Sequence, residues 1–239
     1  LGIYGSNRMR GEKMILSWQQ IPSTLVSEIM CNNFDGVVLD LEHGCFGKET
    51  VYACVQVIKA KGKKCFVRLT EVSKTMIQYC LDAGVDGIIF STIESDEQCE
   101  KIKQYCYYPP NGKRGLGLVR QNMWGEKKLI QKDPIIIPQI ESKLAVDNLK
   151  NICRHGFDYY LIGPYDLSLS LNVPGKFDSD RFMCYINKVR EEIPVEKMAI
   201  HIPSDVKSQI HKYKDYGMKC LGMDTVAILQ YNKQVNKND

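Results

Sequence analysis

Apolar and polar positions along this chain repeat one rhythm: a short apolar run, a polar turn, then a longer stretch with helical spacing. The apolar runs are MILSW (14–18), GVVLDL (36–41), CFVRL (65–69), GIIFST (87–92), IIIPQI (135–140), YYLIGP (159–164), KMAIHI (197–202) and KCLGM (219–223). Runs so short and so uniformly apolar read as strands buried on both faces. SKTMIQYCLDAG predicts a helix with Ser73 as N-cap and Gly84 past its end. SDEQCEKIKQYC predicts one capped by Ser95 or Asp96, and SDVKSQIHKYKDYG one capped by Ser204 and closed by Gly217. Strands alternating with helices predict a parallel sheet with right-handed crossovers. Eight such units in 239 residues fit a single-domain α/β fold, the closed (β/α)8 TIM barrel. An open doubly wound sheet is the other arrangement of such units. It is expected to carry a glycine-rich dinucleotide loop after its first strand, and MILSWQQIPS has none. The domain is expected to fill 1–239, with about 1–13 as an N-terminal extension and about 229–239 as a short C-terminal tail. The links Cys106–Pro134 and Asp166–Asp178 are long for a compact barrel, which marks them as functional loops.

Composition changes this picture little. Hydrophobic residues make up 44% of the chain, enough for a substantial core. The formal charge of +4 is spread out, and no Lys/Arg block argues for a nucleic-acid partner. KGKK (61–64) falls between a helix and a strand and reads as a solvated loop. No apolar run approaches the ~18 residues of a membrane span. The opening LGIYGSNRMRGEK lacks the apolar segment of a secretory signal, so a cytoplasmic protein with no membrane partner is expected. Ten cysteines invite a disulfide or zinc reading, but no C-x-x-C occurs. Cys31, Cys54, Cys65, Cys80, Cys106 and Cys153 fall within expected strands or helices, as reduced thiols acting as small core hydrophobes.

The chemistry of such a barrel sits at the C-terminal ends of its strands, and polar residues gather there. Strand one ends at Trp18. Strand two supplies Asp40, Glu42 and His43, and strand three Arg68. Strand five supplies Gln139 and Glu141; strand six supplies Gly163, Pro164 and Asp166; strand seven supplies His201. Two carboxylates from neighbouring strands, Glu141 and Asp166, would repel unless a cation joins them. With no cysteine or histidine pair beside them they suit a hard divalent ion such as Mg²⁺ or Mn²⁺. Taken singly, Glu141 also reads as a carboxylate near the N-cap of the helix SKLAVDNLK, and Asp166 as a capping turn residue. Arg68 ends an apolar strand and wants an anion, which substrate or a neighbouring carboxylate could supply. His43 reads as a base near Asp40 or as a satisfied core histidine. His201 and Trp18 read equally as pocket wall and as packing.

Beyond single residues, LDLEHG, the stretch from VRLTEVSK through YYPPNGKRGLG, PQIES, GPYDLSLSLNVPGKF and a closing GMDT resemble the HpcH/HpaI aldolase family, in order, from about Ile15 to about Ile228. The resemblance implies a (β/α)8 barrel and a metal-dependent (class II) pyruvate aldolase: a lyase that parts a 4-hydroxy-2-oxo acid into pyruvate and an aldehyde. It implies Glu141 and Asp166 as ligands of Mg²⁺, Mn²⁺ or Co²⁺, Arg68 at the oxygen of the 2-oxo acid, and His43 in acid–base work with Asp40 and Asp82 around it. It implies Trp18, Gln139, Gly163 and Pro164 as substrate-binding residues and a homo-oligomer as the assembly. By itself Asp82 reads only as a charge at a helix end. The stretch Gly117–Pro134 is shorter than in typical relatives, where it borders the substrate. A CoA-thioester lyase of the citrate-lyase-β type keeps the fold with another substrate, although the sequence carries no evident phosphate cradle. A barrel that binds a 2-oxo acid without turning it over is the remaining alternative.

Overall fold

The computed structural model describes residues 13–126 and 133–235. Eight parallel strands close into one barrel in sequence order, β1 paired to β8. They are β1 (Met14–Gln19), β2 (Gly36–Asp40), β3 (Lys64–Leu69), β4 (Gly87–Phe90), β5 (Ile135–Ile140), β6 (Tyr160–Ile162), β7 (Met198–Ile202) and β8 (Met218–Leu221). Each expected apolar run holds one of them. Outside lie α1 (Thr24–Met30), α2 (Lys48–Ala60), α3 (Lys74–Ala83), α4 (Asp96–Cys106), α5 (Lys143–Asp147), α6 (Leu149–Cys153), α7 (Pro164–Ser170), α8 (Asp180–Glu192), α9 (Val206–Gln209) and α10 (Asp224–Val235). This is the TIM barrel the alternation predicts, and no described helix is long and apolar enough to cross a membrane.

The strands are apolar throughout because they face two cores. One set of residues fills the barrel interior: Leu16, Trp18, Val38, Phe66, Ile89, Ile137, Leu161, Ala199 and Met218 among them. The alternating set, including Val37, Leu39, Val67 and Ile88, packs under the helices with Val55, Ile58, Ile77 and Leu81. All ten cysteines are free, and most of them are buried. Burial pushes the thiols of Cys80 and Cys106 up to about 12, so they act as apolar filler rather than nucleophiles.

Helix boundaries follow local chemistry. Ser73 caps α3 by accepting from Met76 N, and α3 ends on Gly84 in the left-handed region. Ser95 rather than Asp96 caps α4, in a capping box with Gln98. The stretch after β7 departs from expectation. Asp205, not Ser204, precedes its first helical residue, at φ 49°, and α9 lasts only four residues before a 3₁₀ turn over Ile210–Tyr213. Gly217 serves there by close approach: a Cβ would lie 1.9 Å from the Glu196 carbonyl oxygen. At the C-terminal end, α10 carries helix on to Val235, past the expected start of the tail near 229. The expected extension over about 1–13 falls almost wholly outside the described residues.

Candidate active site

The inward-facing period of the strands builds the site. Position 38 points into the barrel, so position 40 does as well, one layer higher; Phe66 leads likewise to Arg68, Ile89 to Ser91, Ile137 to Gln139 and Glu141, and Ala199 to His201. A polar layer therefore caps the apolar interior at the strand C-termini. This is the physical reason why separate apolar strands end in carboxylates.

Asp40 and Arg68 are register partners on β2 and β3. Arg68 Nε donates to Asp40 Oδ1 at 2.8 Å and Nη2 to Oδ2 at 2.6 Å, a two-pronged pair. Arg68 Nη1 lies 2.8 Å from Glu42 Oε2, which also accepts from Ser91 Oγ at 2.8 Å. The guanidinium lies over Trp18, 4.9 Å from the ring centroid. Trp18 Nε1 and Gln20 Nε2 donate to Asp40 Oδ2 at 3.2 and 3.0 Å, and the N–H groups of Glu42 and His43 reach Oδ1. Burial alone would raise the Asp40 carboxyl; Arg68, Gln20 and Trp18 outweigh it and hold it at about 2. Of the five guanidinium N–H groups, three serve Asp40 and Glu42. One on Nη1 and one on Nη2 have no partner among the described residues.

Asp40 thus holds an arginine in place; it does not orient the His43 ring. The His43 backbone N–H donates to Asp40 Oδ1, and the imidazole is largely exposed, with Nε2 3.8 Å from Glu42 Oε2. Asp82 is not brought to the rim within this chain. Helix α3 runs back along the barrel, so its last turn lies at the opposite end, where Asp82 pairs with Arg114 at 2.7 Å.

On the far side of the mouth, Glu141 is buried and its two oxygens are held separately. Oε1 accepts from the N–H and Oγ1 of Thr92, and Oε2 from Gln139 Nε2. Ser142, not Glu141, caps α5. Burial raises the Glu141 carboxyl against the Thr92 bonds, and the charges of Asp166 and Glu42 raise it further. Asp166 sits in the exposed first turn of α7, which Pro164 opens at the first helical position. Gly163 lets the two strands approach: a Cβ there would lie 2.7 Å from Glu141 Cβ and 2.9 Å from its Oε2. A carboxylate raised by burial and further by a neighbouring carboxylate fits a divalent cation. Among the described residues no third His, Cys, Asp or Glu joins the pair as a ligand set, which would leave further coordination positions to water and substrate.

His201 stacks on Trp18 with ring centroids 4.2 Å apart and an interplanar angle of 15°. Burial lowers its pKa to about 4; the Gly222 carbonyl opposes this and Arg68 adds to it. The folded protein therefore resists a proton that the unfolded chain accepts near 6.5, so stability falls as pH drops from 6.5 to 4. The full loss is about 3 kcal/mol. His201→Phe keeps a ring against Trp18 and cannot titrate. Urea unfolding at pH 7 and pH 4 should show a smaller acid loss in that variant, by about this amount.

Sequence reading missed several residues that secure the site. Asp224 of the closing GMDT accepts from the N–H groups of Gln20 and Ile21 at 2.9 Å each, and Thr225 Oγ1 donates to Gln20 Oε1. Together they pin the β1–α1 turn that sends Gln20 to Asp40. Ser91 was legible as the inward residue two past Ile89. Thr92 carried no such signal.

A closed barrel with an arginine locked between carboxylates and a second carboxylate pair at the same mouth defines a (β/α)8 protein with a charged strand-end rim. The chain belongs to the HpcH/HpaI aldolase/citrate lyase family, whose profile matches residues 19–211. It is 31% identical over 173 residues to a 2-keto-3-deoxy-L-rhamnonate aldolase of Shigella boydii serotype 4 (strain Sb227), covering 69% of this chain and 65% of that one. Among solved structures it is similar to a HpcH/HpaI aldolase/citrate lyase family protein from Burkholderia cenocepacia J2315. There the TM-score is 0.84 at 21% identity, over 95% of each chain. It is similar also to the citrate synthase SbnG, with a TM-score of 0.82 at 23% identity over 95% of this chain and 93% of that one. At these identities the two structures bear on the fold alone.

Proposed function

We propose that the protein is a divalent-metal-dependent aldolase that reversibly cleaves a 4-hydroxy-2-oxo acid to pyruvate and an aldehyde. The observation that carries this reading is Arg68, buried and locked by Asp40 and Glu42, with two N–H groups unused, across the barrel mouth from the Glu141–Asp166 pair. The 31%-identical relative bears the name of an aldolase for a 2-keto-3-deoxy sugar acid, a compound of this class.

Glu141 and Asp166 would hold the metal, and a Mg²⁺, Mn²⁺ or Co²⁺ ion bound there supplies a Lewis acid for the 2-oxo carboxylate. Cleavage of the C3–C4 bond leaves its electron pair on the pyruvate half as an enolate, with charge on the C2 oxygen. The free Arg68 N–H groups donate to that oxygen. Asp40 and Glu42 fix the fork beforehand, so little reorganisation accompanies the charge. His43 accepts the C4 hydroxyl proton, which lets the C4–O bond become the aldehyde carbonyl. Its exposure at the mouth suits a group that meets the variable aldehyde end. Trp18, Gln139, Gly163 and Pro164 belong to the pyruvate side; the Gly163 N–H is taken by Ile140 O and Pro164 has none, so the N–H groups of Tyr165 and Asp166 are the donors offered to the carboxylate. The exposed apolar residues Ile228, Leu229 and Tyr231 of α10 support a homo-oligomer.

The test is pyruvate release from a panel of 4-hydroxy-2-oxo acids, with chelator and with restored metal. Release that needs metal supports the reading; activity only on CoA thioesters, or none on any 2-oxo acid, overturns it. In the same assay His43→Ala should cleave more slowly, by about 10²- to 10⁴-fold, while Mn²⁺ binding stays within about threefold of wild type. Weakened Mn²⁺ binding would make His43 part of the metal site.

A further inference from the structure

We propose that Thr92 is a positioning residue for the metal site, and that it selects Oε2 of Glu141 as the single ligating oxygen. The inference rests on the reading of Glu141 as a metal ligand and goes beyond it to a residue on a different strand.

A carboxylate has about four lone-pair directions, two per oxygen. On Oε1 both are taken by one residue, through Thr92 N–H at 2.8 Å and Thr92 Oγ1 at 2.7 Å. On Oε2 one is taken by Gln139 Nε2. A single direction remains, on the oxygen that faces Gly163, where an added Cβ would lie 2.9 Å away. Glu141 is therefore left to bind a cation with one oxygen, on the side of the β6–α7 turn that carries Asp166. Without Thr92, Oε1 would be released, and the carboxylate could rotate or bind through both oxygens.

The backbone supports the same assignment. Thr92 has φ 51°, in the left-handed region. A β-branched residue pays most for that conformation, and asparagine or glycine would adopt it more readily. Thr92 is exposed, so core packing does not explain its choice. The turn is fixed on both sides: Ser91 N donates to Leu69 O, Ile93 N to Gln139 O, and Gln98 Nε2 to Thr92 O. In that fixed turn the left-handed conformation aims both the N–H and the hydroxyl at one carboxylate oxygen. Strain held by its surroundings at a ligand clamp has a functional reading.

The test is Mn²⁺ binding to chelator-stripped protein by calorimetry. Thr92→Val keeps the β-branch and its backbone cost but loses the hydroxyl; Thr92→Ser keeps the hydroxyl and loses the branch. The Kd for Mn²⁺ is expected to rise about 10- to 100-fold in Thr92→Val, as for loss of a partner that orients a ligand. In Thr92→Ser it should stay within about threefold of wild type, and thermal melting without metal should be similar in all three proteins. Thr92→Ala, smaller than valine, should match Thr92→Val. Equal Kd values in wild type, Thr92→Val and Thr92→Ala would overturn the role of Thr92 while leaving the metal site standing. Equal weakening in Thr92→Val and Thr92→Ser would overturn the hydroxyl clamp. No Mn²⁺ binding by the wild type, or binding unchanged in Glu141→Ala, would overturn both the clamp and the metal reading beneath it.

Discussion

Glu141→Ala and Asp166→Ala should each cost about three orders of magnitude or more in kcat/KM for cleavage, because under the proposed function each removes half of the protein's hold on the metal. Fold should survive in both. Asp166 is exposed at a helix start, and the ionised Glu141 side chain is a burden to the metal-free protein. Its carboxyl is raised by burial and by the Asp166 and Glu42 charges, so its ionisation opposes folding at neutral pH and ceases to do so as pH falls through the raised value. Metal-free Glu141→Gln should therefore melt higher than metal-free wild type. Added Mg²⁺ should raise the melting temperature of the wild type and leave that of the variant unchanged. Cleavage by either alanine variant at the wild-type rate would contradict the assignment. A lower melting temperature for metal-free Glu141→Gln would show that the carboxylate is structural instead.

Arg68→Lys tests the other half of the site. Lysine keeps the charge but has no planar fork. An ammonium with three donors cannot bind both oxygens of Asp40, reach Glu42 and still offer two N–H groups to a substrate oxygen. A fall of about 100-fold or more in kcat/KM is expected, comparable to losing an oxyanion donor. Mn²⁺ affinity should change little, since Arg68 touches neither Glu141 nor Asp166 in the hydrogen-bond network. Removing the side chain altogether, in Arg68→Ala, leaves Asp40 buried without its main partner. That change should cost about 3–5 kcal/mol of stability, as for breaking a buried ion pair. Normal turnover by Arg68→Lys would make the arginine a structural partner of Asp40 and nothing more.

The barrel was legible because strands covered on both faces leave unbroken apolar runs, and eight such runs leave few topologies. The site was legible for a related reason. A charged side chain ending an apolar strand has no place in either core, so Asp40, Arg68 and Glu141 stood out. What was not legible depended on backbone conformation or on contacts between distant segments. Nothing local marks Thr92 as left-handed, since its residue type argues against it. Asp205 displaced Ser204 in the same way, by adopting a left-handed turn that a capping rule does not foresee. The Asp224–Gln20 link joins residues 204 positions apart. The spacing of Asp40 and His43 permits a contact without requiring it, and the family resemblance sets Asp40 beside His43, whereas Arg68, its register partner across β2 and β3, holds both of its oxygens. Asp82 was placed at the site by family resemblance, and α3 carries it to the other end of the barrel in this chain.

The proposed function requires this rim to stabilise a pyruvate enolate with the help of a divalent ion. Exchange of the pyruvate methyl protons with D₂O, followed by mass spectrometry on chelator-stripped protein before and after adding Mg²⁺ or Mn²⁺, reads that step without any choice of aldehyde. Exchange is expected to appear on adding the ion, to disappear again with chelator, and to be absent from Glu141→Ala. Exchange that is equally fast in chelator and in Glu141→Ala, or that no divalent ion restores, would contradict it.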